Sequence, residues 1–246
     1  VDHVYGGRKV NPVLTLTRNN LPLTKRCIES ILKQDIDAFP EIIDNASSDG
    51  TAQVLERFIA LRYIYNKGVS RGWNDGLDRL FRKDRVEHVL VVGNDCWLPP
   101  SIYRNLLSLD LPFVTGVAVG SMEQALETPE LGPLTDNPDF SLFLIRRECW
   151  ETVGPFDETM KYYAQDQDYH IRAHKKGVRL VKAPQPFFHE RSSTIRNASP
   201  EERLEIETQA GKDRQTLWLK WGVSAGGADY EALFTPELFG VESTAV

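Results

Sequence analysis

The sequence predicts an α/β fold, a mostly parallel central sheet flanked by helices, and two observations carry that prediction. Short apolar runs alternate with helix-period segments through the first half, the pattern of βαβ units. Three runs end directly in polar residues, Thr17-Arg18-Asn19, Asp44-Asn45 and Gly93-Asn94-Asp95. Ligands of an open α/β sheet collect at the carboxyl ends of its strands. Read one at a time, such residues also fit plain caps and turns.

The elements follow in order. Val13 to Thr17 reads as a strand, and Leu23, Cys27, Ile28, Ile31 and Leu32 form one face of a helix. Glu41 to Asp44 is a second strand, followed by a helix burying Val54, Leu55, Phe58 and Ile59, and then a third strand at Tyr63-Ile64-Tyr65. Trp73, Leu77, Leu80 and Phe81 mark the next helix, and Val89 to Val92 is a continuous apolar run suited to a central strand. Glu123 to Pro138, with three prolines and few apolar residues, reads as a long surface loop of the kind that closes over a ligand. Ser141 to Ile145 and Val178 to Val181 read as strands flanking a helix that begins near Gln165. Ser199-Pro200-Glu201-Glu202 is a helix start with an N-cap, an N1 proline and a Glu at the third position, and that helix runs to about Trp221. Leu204, Leu217, Trp218 and Trp221 on it could cover the core or a partner. Beyond Gly222 the composition reads as a loosely attached tail.

A chain of 246 residues, 41% hydrophobic, can bury a sizeable core. Its formal charge of −6 gives no overall positive field for nucleic acid, so an anionic ligand needs local devices. Cys27, Cys96 and Cys149 lie far apart, without a CxxC, which argues against a disulfide framework or zinc knuckle and fits a reducing, cytoplasmic setting. No apolar run reaches a membrane span, and no charged-then-apolar leader opens the chain, which starts at Val1 and could be trimmed.

Asp44-Asn45-Ala46-Ser47-Ser48-Asp49-Gly50-Thr51 resembles the D-D/N-x-S-x-D-G-T segment of family 2 glycosyltransferases. Asn66-Lys67-Gly68-Val69-Ser70-Arg71-Gly72-Trp73-Asn74-Asp75-Gly76 resembles that family's N-x-G-x-x-x-G-x-N-x-G loop and helix start, where glycines allow backbone to approach a ligand and a helix N-terminus favours an anion. Gly93-Asn94-Asp95 occupies the place of the D-x-D metal element with its first Asp missing, leaving Asp95 as the carboxylate. Cys96 beside it reads as a small buried residue, since a thiolate suits Mg²⁺ or Mn²⁺ poorly. Gly154-Pro155-Phe156-Asp157-Glu158 and Gln165-Asp166-Gln167-Asp168 are similar to the family's G-x-F-D-E and E-D-x-D segments, with Gln165 in place of the first acid. His189, in Phe187-Phe188-His189-Glu190-Arg191-Ser192-Ser193-Thr194, matches a late histidine that completes the metal shell in many members.

The resemblance, over about Val13 to Thr194, is of a rhamnosyl- or glucosyltransferase-like kind. It implies a GT-A fold and an inverting hexosyl- or deoxyhexosyltransferase that uses Mn²⁺ or Mg²⁺. The donor would be a nucleoside-diphosphate sugar of UDP, dTDP or GDP type, and the acceptor a glycan, lipid-linked or protein hydroxyl. It assigns the general base to Asp166, kept ionised by its helix start, and the metal to Asp95 and His189. Thr17, Asn19, Asp44, Asn45, Asn66, Gly68, Gly72, Asn74 and Asn94 fall on the nucleotide-sugar side, with the base near Thr17 and Asp44. Trp97, Tyr163 and Asp168 fall on the acceptor side; Trp150 and Tyr162 are further aromatics near the acids. Asp168 also fits a cap or ion pair, and the aromatics also fit a core. A single catalytic domain over 1–221 is implied, with a nucleotide-sugar half 10–120, an acceptor half 121–198 and a helix 199–221, then a tail 222–246.

His170 and His174 have the i, i+4 spacing of a zinc helix, but Ile171 stands where a metalloprotease has Glu, so the pair reads as structural or acceptor-side. Asn197-Ala198-Ser199 is followed by Pro200 and is discounted as a glycosylation site. A nucleotidyltransferase would place a Gly-rich phosphate loop after the first strand, where Arg18-Asn19-Asn20-Leu21-Pro22 stands, and a dehydrogenase would need GxGxxG. The non-enzyme alternative is a nucleotide-sugar or glycan-binding module without turnover.

Overall fold

The structure, a computed structural model, describes residues 4–5, 8–127, 133–191, 196 and 198–234. Strands β1 (Val4–Tyr5) and β2 (Arg8–Lys9) form a small antiparallel ribbon. The main sheet contains β3 (Asn11–Thr17), β4 (Ala38–Asp44), β5 (Ile59–Arg62), β6 (His88–Gly93), β7 (Cys96–Trp97), β8 (Phe113–Val119), β9 (Leu142–Arg146) and β10 (Val181–His189). Its order is β5-β4-β3-β6-β9-β8-β10-β7. The half from β5 to β6 is parallel, as the alternation of apolar runs and helices requires. The sheet as a whole is mixed: β9 runs against both β6 and β8. β8 and β10 are parallel to each other and therefore run with β6. That topology brings Thr17, Asp44, Gly93 and His189, the last residues of four strands, to one edge.

Alternate residues of each central strand feed two cores. Leu14, Ile43, Val91 and Phe143 pack on one face, Val13, Ile42, Leu90 and Leu142 on the other, which explains why these strands read as unbroken apolar runs. The sheet is flanked by α1 (Leu21–Ile31), α2 (Thr51–Val54), α3 (Val69–Asp78), α4 (Ile102–Ser108), α5 (Met122–Leu126), α6 (Arg147–Val153) and α7 (Gln165–Lys175). α8 (Pro200–Trp221) opens with the expected capping box, Ser199 Oγ accepting from Glu202 N–H and the Glu202 carboxylate accepting from Ser199 N–H. On α8, Leu217 is fully buried, while Leu204 and Trp218 face solvent. Among the described residues, no helix is long and apolar enough to cross a membrane.

Four expectations need correction. The helix after Thr51 is one turn followed by a 3₁₀ turn at Glu56–Phe58, so Val54 is exposed and Ile59 begins β5. The third strand precedes Tyr63-Ile64-Tyr65: Tyr63 N–H bonds Asp44 O at 2.9 Å as the chain leaves the sheet, and Ile64 is 93% exposed. β10 begins where Val178 to Val181 was expected to end, and Pro184 and Pro186 lie inside it, at a register shift between Lys182 and Pro186 that relieves the missing N–H donors. Glu123 to Pro138 is not loop throughout. Met122–Leu126 is helical under a Ser121 cap, and Thr135 bridges Lys182, while 128–132 lie outside the described residues.

The tail is also attached more firmly than its composition implies. Val223 is buried, α9 (Ala228–Glu231) follows, and the Phe234 ring stacks on His170 at 3.8 Å. Residues 235–246, Ser192 to Thr194 and Asn197 lie outside the described residues.

Candidate active site

Two cavities open at this edge of the sheet. A smaller one, about 190 Å³, is lined by Thr17, Arg18, Asn45, Asn66, Asn94 and Ile206, among others. A larger one, about 610 Å³, is lined by Gly93, Asp139, Gln165, Asp166, Lys182 and His189, among others. Val69, Tyr162 and Tyr163 line both. The Gly93-Asn94 step serves both as well, Gly93 in the larger and Asn94 in the smaller.

The small cavity is held by amide bonds. Asn45 accepts from Lys67 N–H at 2.7 Å and donates to Asn66 Oδ1 at 2.8 Å, and Asn66 donates to Tyr162 Oη at 2.8 Å. Asn94 donates to the hydroxyls of Thr24 and Thr17 at 2.9 and 3.2 Å. The first set ties the end of β4 to the loop before α3 and to Tyr162, and the second ties the Gly93-Asn94-Asp95 element to the end of β3 and to α1.

Asp95 Oδ1 and His189 Nε2 lie 3.5 Å apart, with Cys96 Sγ close enough to complete a three-residue cluster. β7 pairs antiparallel to the end of β10, setting Cys96 opposite His189. One carboxylate oxygen and one imidazole at this spacing fit a divalent cation that leaves positions for phosphate oxygens. Cys96 is fully buried, and burial raises its thiol well above the usual value, helped by the Asp95 charge, so it stays protonated. Gly93 explains the altered motif in part. A Cβ there would lie 2.9 Å from Asp95 Oδ1, so the missing side chain leaves room for the Asp95 carboxylate.

Asp166 stands in the first turn of α7, after Ala164 in a left-handed conformation (φ 62). Its Oδ1 accepts from Gln167 N–H at 2.9 Å. Burial raises its pKa above the ordinary carboxylate value, Asp139 adds to the rise, and the helix-start N–H groups oppose it. The helix-start N–H groups favour the charged form, as expected, and burial works against them.

Several residues expected at the ligand are occupied by the protein. Asp44 is fully buried, 3.0 Å from Arg62 Nε, and accepts from Ser47 N–H, so a base reaches it only if Arg62 moves. Asn19 is tied to Ser47 and Ser48 and lines neither cavity. Gly68 and Gly72 admit protein neighbours. A Cβ on Gly68 (φ +90) would meet Lys161, and one on Gly72 would meet the Leu16 side chain at 2.3 Å. Asn74 is buried and clamps α3 to the G-x-F-D-E segment, donating to Phe156 O and Glu158 and accepting from Phe156 N–H. Asp168 is fully buried beneath Arg172, Lys220 and Trp221, out of reach of an acceptor. Trp97, paired across from Phe188, lines neither cavity. Trp150 is core. His170 donates to or accepts from Tyr230 Oη at 2.8 Å and, with His174, lines a separate cavity of about 290 Å³.

Lining residues to which the sequence assigned no role are Arg18, whose Nε is buried without a hydrogen bond while Nη2 pairs with Glu202 at 3.0 Å, Ile206 from α8, and Asp139, Gln165 and Lys182 in the larger cavity. Arg18 and Gln165 stand within segments the sequence did mark, which was a usable signal. The others come from distant segments that meet only in the fold.

The family model of "Glycosyl transferase family 2" matches residues 13–172. No curated protein sequence matches the chain. Among solved structures, S. aureus TarS residues 1–349 in complex with UDP is similar with a TM-score of 0.59 at 17% identity, over 89% of this chain and 73% of that one. A longer S. aureus TarS chain is matched over 50% of its length. The mannosyltransferase PcManGT from Pyrobaculum calidifontis, in complex with GDP-Man and Mn²⁺, has a TM-score of 0.55 at 19% identity, over 94% and 79%. These likenesses show the shared α/β fold.

Proposed function

The chain belongs to glycosyl transferase family 2, and from that premise we propose that it transfers a sugar, with inversion, from a nucleoside-diphosphate donor to an acceptor hydroxyl. The observation that carries the reading is the 3.5 Å approach of Asp95 to His189 at the edge where both cavities open. In this reading the small cavity receives the nucleotide, with Thr17, Asn45, Asn66 and Asn94 as polar contacts and Arg18 as the nearby cation. The larger cavity receives the acceptor.

Asp95 and His189 would hold Mn²⁺ or Mg²⁺, which supplies positive charge for a departing diphosphate. Asp166 accepts the proton of the acceptor hydroxyl while its oxygen bonds to the anomeric carbon and the bond to the diphosphate breaks. Its raised pKa brings it nearer to working pH, where a general base is most effective. Tyr162 and Tyr163 line both cavities, within reach of either sugar.

The test is thermal unfolding with UDP, GDP, dTDP and their sugar conjugates, with and without Mn²⁺. A ligand at about 100 times its Kd stabilises by roughly 2.7 kcal/mol. A metal-dependent shift with one nucleotide, joined to transfer that D166N abolishes, supports the reading. Donor binding without turnover in the native chain would favour a binding module.

A further inference from the structure

Two groups in the larger cavity are left unused by the transfer step. Lys182 lines it from β10, and among the described residues its ammonium has no hydrogen bond or ion pair. The flanking residues Val181 and Ala183 point into the core, which sets Lys182 on the opposite face. Two acids lie on the segment after Thr135, which bridges Lys182, and Asp139 lines the same cavity. Asp136 holds Arg179 through both oxygens, at 2.6 and 3.1 Å, and Asp139 Oδ1 accepts from Ser141 N–H at 3.0 Å. The second group is Gln165, next to Asp166: it is 6% exposed, and its Oε1 is buried with no hydrogen-bond partner.

These groups mark two places along one wall. Lys182 lies seven residues before His189 on the same strand, a separation of roughly 20 Å at full extension. The cavity is therefore longer than one pyranose ring. In a chain of net charge −6, an acidic ligand depends on local cations. An ammonium in a partly water-excluded groove gains more from an opposite charge than one on the surface. An amide oxygen beside the base asks for a hydroxyl donor.

We propose that the acceptor carries an anionic oxygen group, phosphate or carboxylate, held by Lys182, while one of its hydroxyls donates to Gln165. This rests on the proposed transfer reaction. It adds the charge class of the acceptor and a specificity residue for it.

The experiment uses the full chain with Mn²⁺ and the donor identified by thermal shift. It compares a uronic-acid disaccharide and a polyol-phosphodiester oligomer with neutral counterparts of equal length. An acidic acceptor shows a KM about tenfold below its neutral counterpart, and the advantage shrinks as salt rises. Which acidic arm shows it identifies the group. K182M raises KM for the acidic acceptor to the neutral value, K182R restores most of the preference, and Q165L raises KM for both classes. Equal KM values for acidic and neutral acceptors in the native chain, or a preference that survives K182M, overturns the proposal. The native comparison decides even if a variant fails to fold. Metal-dependent donor hydrolysis, measured in parallel, separates the two failures: its presence without charge preference sinks only this inference, and its absence sinks the transfer reading with it.

Discussion

Asp213, buried at the middle of α8, accepts the backbone N–H of Tyr162 at 2.8 Å, and the same oxygen takes the N–H of Tyr163 at 3.0 Å. Its other oxygen is held by Gln209 at 2.7 Å. The C-terminal helix thus fixes the two aromatic residues shared by both cavities. D213A should lower the unfolding free energy by about 2–4 kcal/mol, since two amides lose their partner. Urea denaturation measures it, and a loss under 0.5 kcal/mol, within the roughly ±0.5 kcal/mol of ordinary surface changes, would show that the bonds are replaceable.

D166N should reduce transfer by about 10²–10⁴-fold while the metal-dependent donor shift persists. In the native chain the rate falls as pH drops through the raised pKa of Asp166, so the acid limb is displaced upward from that of a free aspartate. The stability effect has the opposite sign. A carboxyl with a raised folded pKa contributes stability below its unfolded pKa and loses it as pH rises through the folded value. D166N should be at least as stable as the native chain at neutral pH, with the difference closing in acid. Melting curves across pH test this.

Asn74 and Asn94 separate framework from ligand contact. N74A removes a buried three-bond clamp and should cost about 2–4 kcal/mol, yet leave the donor-induced shift intact. N94A should instead shrink that shift, because Asn94 lines the small cavity. Paired thermal titrations decide; equal loss of donor response in both would return Asn74 to the binding site.

G93A puts a methyl 2.9 Å from Asp95 Oδ1 and displaces the carboxylate from His189. Apparent Mn²⁺ affinity should fall about tenfold, read by metal titration of activity. Unchanged affinity would argue that Asp95 is not a ligand.

The strand ends and two helix starts were legible because their signals are local. The β3, β4 and β6 runs are apolar on both faces, and Ser199-Pro200-Glu201-Glu202 satisfies its own capping box. The packing role of Gly72 was not legible for a physical reason: a missing Cβ admits a helix against a strand as readily as a phosphate, and the Leu16 contact appears only in the fold. The Arg62 ion pair of Asp44 was not legible because Arg62 lies on the neighbouring strand, across β4 and β5. Lys182, Asp139 and Ile206 carry no pattern at all, since β10, the segment before β9 and α8 converge only after folding.

Val69, Tyr162 and Tyr163 wall both cavities, so a movement of these side chains on binding in one cavity reshapes the other. Any shift of these side chains that favours donor must change acceptor affinity by the same factor that acceptor changes donor affinity. In the proposed reaction, how firmly α8 holds these two tyrosines sets the size of that exchange.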